Sequence, residues 1–128
     1  MNKIKTEAGS FPDFKLHQGI KAKTRKLWQV LCGDKNHWRI GYYSPDAGSA
    51  DKVPFLEKHT CVELFLLLSG RVTLIVDDGN GEREIELEPE KPVMVTGWHN
   101  GYAPDGPYTG TALVVERDHF TTRYKDRL

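Results

Sequence analysis

Cysteine is scarce in this chain. Cys32 and Cys61 are the only two among 128 residues, they stand far apart, and they match no metal-binding spacing. Two thiols make no disulfide framework, so a reducing compartment fits. Net charge is absent as well, since 18 Lys and Arg balance 18 Asp and Glu. That balance argues against nucleic acid or an anionic membrane surface as a partner, because both are bound through an excess of basic residues. The longest apolar run, Leu64 to Leu68, is far too short to cross a bilayer, and no apolar stretch follows the N-terminal lysines to make a signal peptide. The cytoplasm is therefore the expected location. Long helix-period segments, solenoid repeats and low-complexity tracts are missing too. A chain of this length suits one domain with its own core and is too short for two ordinary ones.

What is there reads as short strands. Residues 1–24 are polar, carry Gly9, Pro12 and Gly19, and read as an N-terminal arm or edge segment; the basic run Lys21 to Lys26 reads as solvated surface. Residues 25–128 read as the domain proper. Strands are expected at Leu27–Leu31, His37–Tyr43, Glu57–Leu68, Arg71–Val76, Glu84–Glu88, Pro92–Thr96 and Thr111–Glu116. The segment Ser44–Pro54 reads as a loop, and Asp77-Asp78-Gly79-Asn80-Gly81 as a hairpin turn. Asp118–Arg127 reads as a short terminal helix capped by Asp118. Many short strands separated by turn signals point to an all-β sandwich or barrel.

The block Glu57–Leu68 carries the chemistry. Residues two apart in a strand share a face, so Glu57, His59, Cys61, Glu63, Phe65 and Leu67 are expected on one side and Val62, Leu64, Leu66 and Leu68 on the other. The first face groups three metal-competent side chains. The bland alternative is an exposed polar strand edge whose hydrogen bonds go to water. The second face is wholly apolar and needs a cover. A homodimer is the expected cover, and a monomer with its N-terminal arm folded over the sheet is the alternative.

The segment Glu57-x-His59-x3-Glu63-x6-Gly70 resembles the first motif of the cupin family. The motif's second histidine, glutamate and glycine fall on His59, Glu63 and Gly70. Its first histidine position holds Glu57, and Asp51 stands where its opening glycine belongs. The segment Glu88–Tyr102 resembles the second motif in a degenerate form. There His99 follows Gly97 one residue early and Asn100 takes the motif's own spacing; strand parity with Val93 and Val95 favours His99. The resemblance spans about Pro54 to Glu116. It implies a cupin-like double-stranded β-barrel or jelly roll, and one divalent transition metal (Fe, Mn, Ni or Zn) held by His59, Glu63 and His99, with Glu57 as fourth ligand or as base.

The function so implied is metal-assisted proton transfer on a small polar molecule, a sugar derivative or an organic acid, as in isomerases, lyases or dioxygenases. Glu57 and His59 are its candidate catalytic residues, and Trp98 and Tyr102 are candidates for the substrate pocket. Two alternatives stay open. One is a non-catalytic ligand-binding or sensor cupin; the other is a metal-free isomerase like those acting on sugar nucleotides, with His59 as base and Tyr102 as acid. Cys61 reads as a buried, inert thiol. His17, His37 and His119 read as surface or structural residues, and Arg39 and Arg71 as partners in surface ion pairs.

Overall fold

The computed structural model describes residues 3–7 and 16–127, and the part of the expected arm at 8–15 lies outside the described residues. Eleven strands follow one another: β1 (Lys3–Glu7), β2 (Trp28–Asp34), β3 (Trp38–Tyr43), β4 (Phe55–His59), β5 (Glu63–Ser69), β6 (Thr73–Asp77), β7 (Glu82–Glu86), β8 (Val93–Val95), β9 (Trp98–Tyr102), β10 (Thr111–Arg117) and β11 (Phe120–Asp126). A 3-10 turn at Ala50–Lys52 interrupts the β3–β4 loop. The strands pair antiparallel into a six-stranded sheet, β1-β11-β4-β9-β6-β7, and a five-stranded sheet, β2-β3-β10-β5-β8. The two ladders stay separate, so the expectation is met as a jelly-roll sandwich and not as one closed barrel. Lys3–Glu7 is the edge strand of the larger sheet, paired with β11.

Three elements differ from the sequence expectation, and one is β9, a strand of the six-stranded sheet at Trp98–Tyr102 where none was expected. Asp118–Arg127 is not a helix. Its side chains alternate, with Phe120 and Thr122 buried, and β11 pairs with both β1 and β4. Tertiary pairing on both edges overrides the capping signal at Asp118. Glu57–Leu68 is not one strand either. β4 ends at His59, the chain turns over Thr60–Val62, and β5 starts at Glu63 in the opposite sheet. The Thr60 amide donates to the Thr121 carbonyl at this corner, 3.1 Å away. Cys61 is buried at the corner and Val62 is exposed.

Apolar side chains from both sheets fill one end of the space between them. Phe65, Val72, Leu74, Val76, Leu87, Val95, Ala112 and Val114 form this core. A second cluster lies on the outer face of the six-stranded sheet, where the β3–β4 loop folds Val53 onto Leu56 and Ile75. The two sheet faces are thereby tied down, and the other end of the sandwich is left open for a cavity. Gly70, the glycine of the first motif, holds the β5–β6 turn at φ 64°, and any Cβ there would collide with the carbonyl oxygen of Thr109. Only glycine satisfies both constraints.

Candidate metal centre

The corner at Thr60–Val62 brings the motif residues together from two sheets. Within β4, Phe55, Glu57 and His59 face inward; within β5, Glu63 and Phe65 do so, and β9 contributes His99 beside Glu57. All four polar residues line one cavity of about 620 Å³ between the sheets. Carboxylate and imidazole atoms of Glu57, His59 and His99 lie within 4.8 Å of one another. Glu63 sits between the two imidazoles. Its Oε1 is 3.1 Å from His59 Nε2 and 2.7 Å from His99 Nε2, while Glu57 Oε1 is 3.5 Å from His59 Nε2.

Each imidazole is held through its far nitrogen. His99 Nδ1 is 2.9 Å from the Gly97 carbonyl oxygen, which only accepts, so Nδ1 carries the proton. In the neutral ring Nε2 then presents a lone pair to the cavity, the state of a metal ligand. His59 Nδ1 is 2.8 Å from Thr122 Oγ1. His99 Nε2 and Glu63 Oε1 are buried and lack a partner in hydrogen-bond geometry, although only 2.7 Å separates them. As two bare acceptors they would repel at that distance; a proton or a metal ion between them removes the repulsion. The donor set of imidazoles and carboxylates therefore fits a divalent transition metal.

The electrostatics agree with a site built for positive charge. Burial alone would lower the His59 pKa, but hydrogen bonds and charge from Glu57 and Glu63 outweigh it and raise it to about 10. His99 is likewise opposed by burial and raised by Glu63. Burial opposes ionisation of Glu63 as well, yet His59 and His99 hold it well below the ordinary carboxylate range.

Behind Glu63 lies an ion pair that sequence reasoning placed at the surface. Arg39 is 4% exposed and Glu116 5%. Arg39 Nε and Nη2 both donate to Glu116 Oε2, at 2.7 and 2.6 Å. Burial, and Glu63 beside it, push the Glu116 pKa up to about 8 against the pull of Arg39. Strand parity was the available signal, since Ala112, Val114 and Glu116 share the inward face of β10. Thr122 was hidden by the helical reading of its segment. Tyr43 was also missed; its hydroxyl reaches Asn100 Oδ1 at 3.4 Å, and burial, then the charge of Glu57, pushes its phenol pKa far up.

Other candidates fall elsewhere. Trp98 and Tyr102 do not line the cavity, because alternation along β9 turns them away from His99. They pack with Val53, Leu56 and Ile75 on the outer face, where Tyr102 donates to Glu84 Oε1. The Lys125 and Lys58 ammonium groups stand 5.0 and 6.0 Å from the Trp98 ring. Asn100, the competitor of His99, uses its Nδ2 on the Phe55 carbonyl. Cys61 is a buried free thiol with its pKa raised by burial. His17, His37 and His119 are exposed, and Arg71 pairs with Glu86 and Asp105 at the surface.

No family model and no curated protein matches the sequence. Solved structures do match. Hydroxypropylphosphonic acid epoxidase from S. wedmorenis is 19% identical with a TM-score of 0.55, over 70% of this chain and 49% of that one, so the chain spans about half of the epoxidase. A cupin 2 domain-containing protein from Halorhodospira halophila is 16% identical with a TM-score of 0.55, over 98% and 78% of the two chains. An RmlC-like cupin from Desulfovibrio desulfuricans is 16% identical with a TM-score of 0.53, over 83% and 98%. Among the described residues no helix is long and apolar enough to cross a membrane. Two facing antiparallel sheets, the corner that joins β4 to β5 and these likenesses together show that the chain has the fold of the cupin superfamily.

Proposed function

We propose that this protein holds one divalent transition metal through His59, His99 and Glu63, with Glu57 beside it as the proton-transferring carboxylate, and acts on an oxygen-bearing small molecule in the adjoining cavity. The observation that carries the reading is the buried pair His99 Nε2 and Glu63 Oε1, 2.7 Å apart and outside hydrogen-bond geometry. Two imidazoles with carboxylate donors suit Fe(II) or Mn(II) better than soft-ligand copper or zinc sites. A bound ion supplies the positive charge that polarises a carbonyl or hydroxyl oxygen. The chain's own residues do the rest. Gly97 and Thr122 orient the imidazoles through their Nδ1 atoms, and the apolar core seals the inner end against water. Glu57, the more accessible carboxylate at 30% side-chain exposure, takes or returns a proton at the substrate.

A metal-free acid–base reading has one observation in its favour, the His59 ring between Glu57 and Glu63 with its pKa near 10. In that reading Glu57 and His59 pass the proton between them. Tyr102 cannot serve as its acid from the outer face. Elemental analysis of the purified protein, with calorimetric titration of Mn(II) and anaerobic Fe(II) into chelator-treated protein, decides. Stoichiometric uptake that His99→Ala removes supports the metal centre; no uptake by folded protein refutes it and leaves the acid–base reading. A substrate panel separates either from simple ligand binding.

A further inference from the structure

The cavity beside the metal-competent cluster is walled by aromatic rings from both sheets. Trp28 and Tyr43 stand on the five-stranded sheet, Phe55 and Tyr124 on the six-stranded one, and all four are only partly buried. Deeper in, Phe65 and Phe120, each 4% exposed, flank the imidazoles, with the Phe120 ring centroid 4.7 Å from that of His59 and the Phe65 centroid 6.1 Å from that of His99. These rings are fixed in place. Trp28 lies against Gly41, where any Cβ would collide with the indole, so the bare backbone of β3 makes room for it. Tyr43 packs edge-on to Phe65 at 6.1 Å, and Phe55 edge-on to Tyr124 at 5.4 Å.

Such walls select against a polyol. Hydroxyl groups facing aromatic and aliphatic carbon lose their water without gaining partners, whereas a planar ring keeps favourable contact on both faces. The metal-competent groups converge where Glu57, His59, Glu63 and His99 meet; of the other polar lining residues, Lys5, Asp46 and Lys52 are exposed, and Arg39, Glu116, Asn100 and Thr122 are engaged with protein partners. We propose that the ligand of this cavity is a planar aromatic or conjugated ring carrying adjacent oxygen donors. Its ring slots between Trp28 and Tyr43 on one side and Phe55 and Tyr124 on the other, and its oxygens point to the histidine–carboxylate cluster. The oxygen end of this assignment rests on the metal centre proposed above; the ring slot does not.

Calorimetry on Mn(II)-treated and metal-free protein tests it with three probes: 3,4-dihydroxybenzoate, its ring-saturated analogue 3,4-dihydroxycyclohexanecarboxylate, and tartrate. The expected result is binding of the aromatic probe about tenfold or more tighter than either aliphatic one, a preference in the range that aromatic stacking supplies. Tyr124→Leu and Trp28→Leu, checked for native melting, should each weaken the aromatic probe about tenfold and leave tartrate unchanged. Where Trp28→Leu fails to fold, Tyr124→Leu and the wild-type probe series still decide. Equal affinity for the aromatic and saturated probes, or unaltered aromatic binding in a folded variant, overturns the slot. Ring preference persisting in protein that takes up no Mn(II) supports the slot and refutes the metal centre alone.

Discussion

Glu57 of β4 and His99 of β9 are directly opposed in the six-stranded sheet, the single register pair between those strands. Directly opposed residues have Cβ atoms roughly 4.5–5.5 Å apart, so the two side chains reach into the cavity as one unit. Glu57 stands where the resembled motif has a histidine, which makes the cluster more anionic. Glu57→Gln keeps the shape and removes the charge. The expected outcome is a loss of about 10–100-fold in Mn(II) affinity with little change in melting temperature. Unchanged affinity and unchanged turnover would reduce Glu57 to a bystander of the cavity wall.

Metal binding should release protons and tighten with pH. His59 in the metal-free chain holds a proton up to about pH 10, and an imidazole must lose it before it can coordinate. Titrations in buffers of different ionisation enthalpy between pH 6 and 9 measure the protons released. An affinity flat across that range contradicts His59 as a ligand.

Stability of the metal-free chain should fall as pH rises. His59 goes from an ordinary 6.5 to about 10, so the stability it contributes is complete below 6.5 and is lost as pH climbs through 10. Glu63 has the opposite sign. Its depressed pKa contributes stability above 4.5 that is lost as pH falls. Urea denaturation of chelated protein at intervals from pH 3 to 10 should therefore show a maximum on the mildly acidic side of neutral. A maximum above pH 8 would falsify this assignment of shifts.

The Arg39–Glu116 pair should matter for stability more than any surface pair. Removing one member of a buried pair costs about 3–5 kcal/mol, whereas exposed pairs such as Arg71–Glu86 contribute roughly 0–1. Glu116→Ala is expected in the first range by denaturant unfolding and Glu86→Ala in the second. The double change Arg39→Met with Glu116→Leu should recover much of the loss. It should also shift metal affinity, because Glu63 loses its Glu116 partner.

Why was so much of the site legible when its strand was not? The spacing Glu57, His59, Glu63 survives the break because three residues, Thr60 to Val62, make the corner, with His59 ending β4 and Glu63 starting β5 both facing the cavity. The corner at Thr60–Cys61–Val62 holds no Gly or Pro, so nothing local marks where one sheet hands over to the other. The parity of Val93, Val95 and His99 assumes one regular strand, whereas Gly97, at φ 83°, breaks it and β8 and β9 belong to different sheets; His99 faces the cavity through alternation within β9, which also turns Trp98 and Tyr102 outward. Arg39 and Glu116 are 77 residues apart and meet only because β3 and β10 are neighbours, which no local pattern encodes. At Asp118–Arg127 a helix-cap signal competes with the alternation Phe120, Thr122, Tyr124, and pairing with β1 and β4 decides for the strand.

The outer face of the five-stranded sheet should be a contact between two copies of this chain. Ladder pairing aligns Leu64 with Met94 and Val115, Val115 with Ile40, and Leu66 with Leu113, so these side chains share one face. Leu64, Leu66, Leu113, Val115 and Ile40 are only partly buried, while Met94 is 66% and neighbouring Leu68 44% exposed. The described N-terminal strand β1 pairs within the other sheet. Fully burying each such side chain stabilises by about 1.5–3 kcal/mol, so several of them covered by a second copy would hold a dimer at low micromolar concentration. Light scattering should then give twice the chain mass of 14.6 kDa, and Leu66→Lys should return the single mass without loss of metal uptake. A single-chain mass for the unaltered protein sinks the dimer; a doubled mass that survives Leu66→Lys moves the interface to another face.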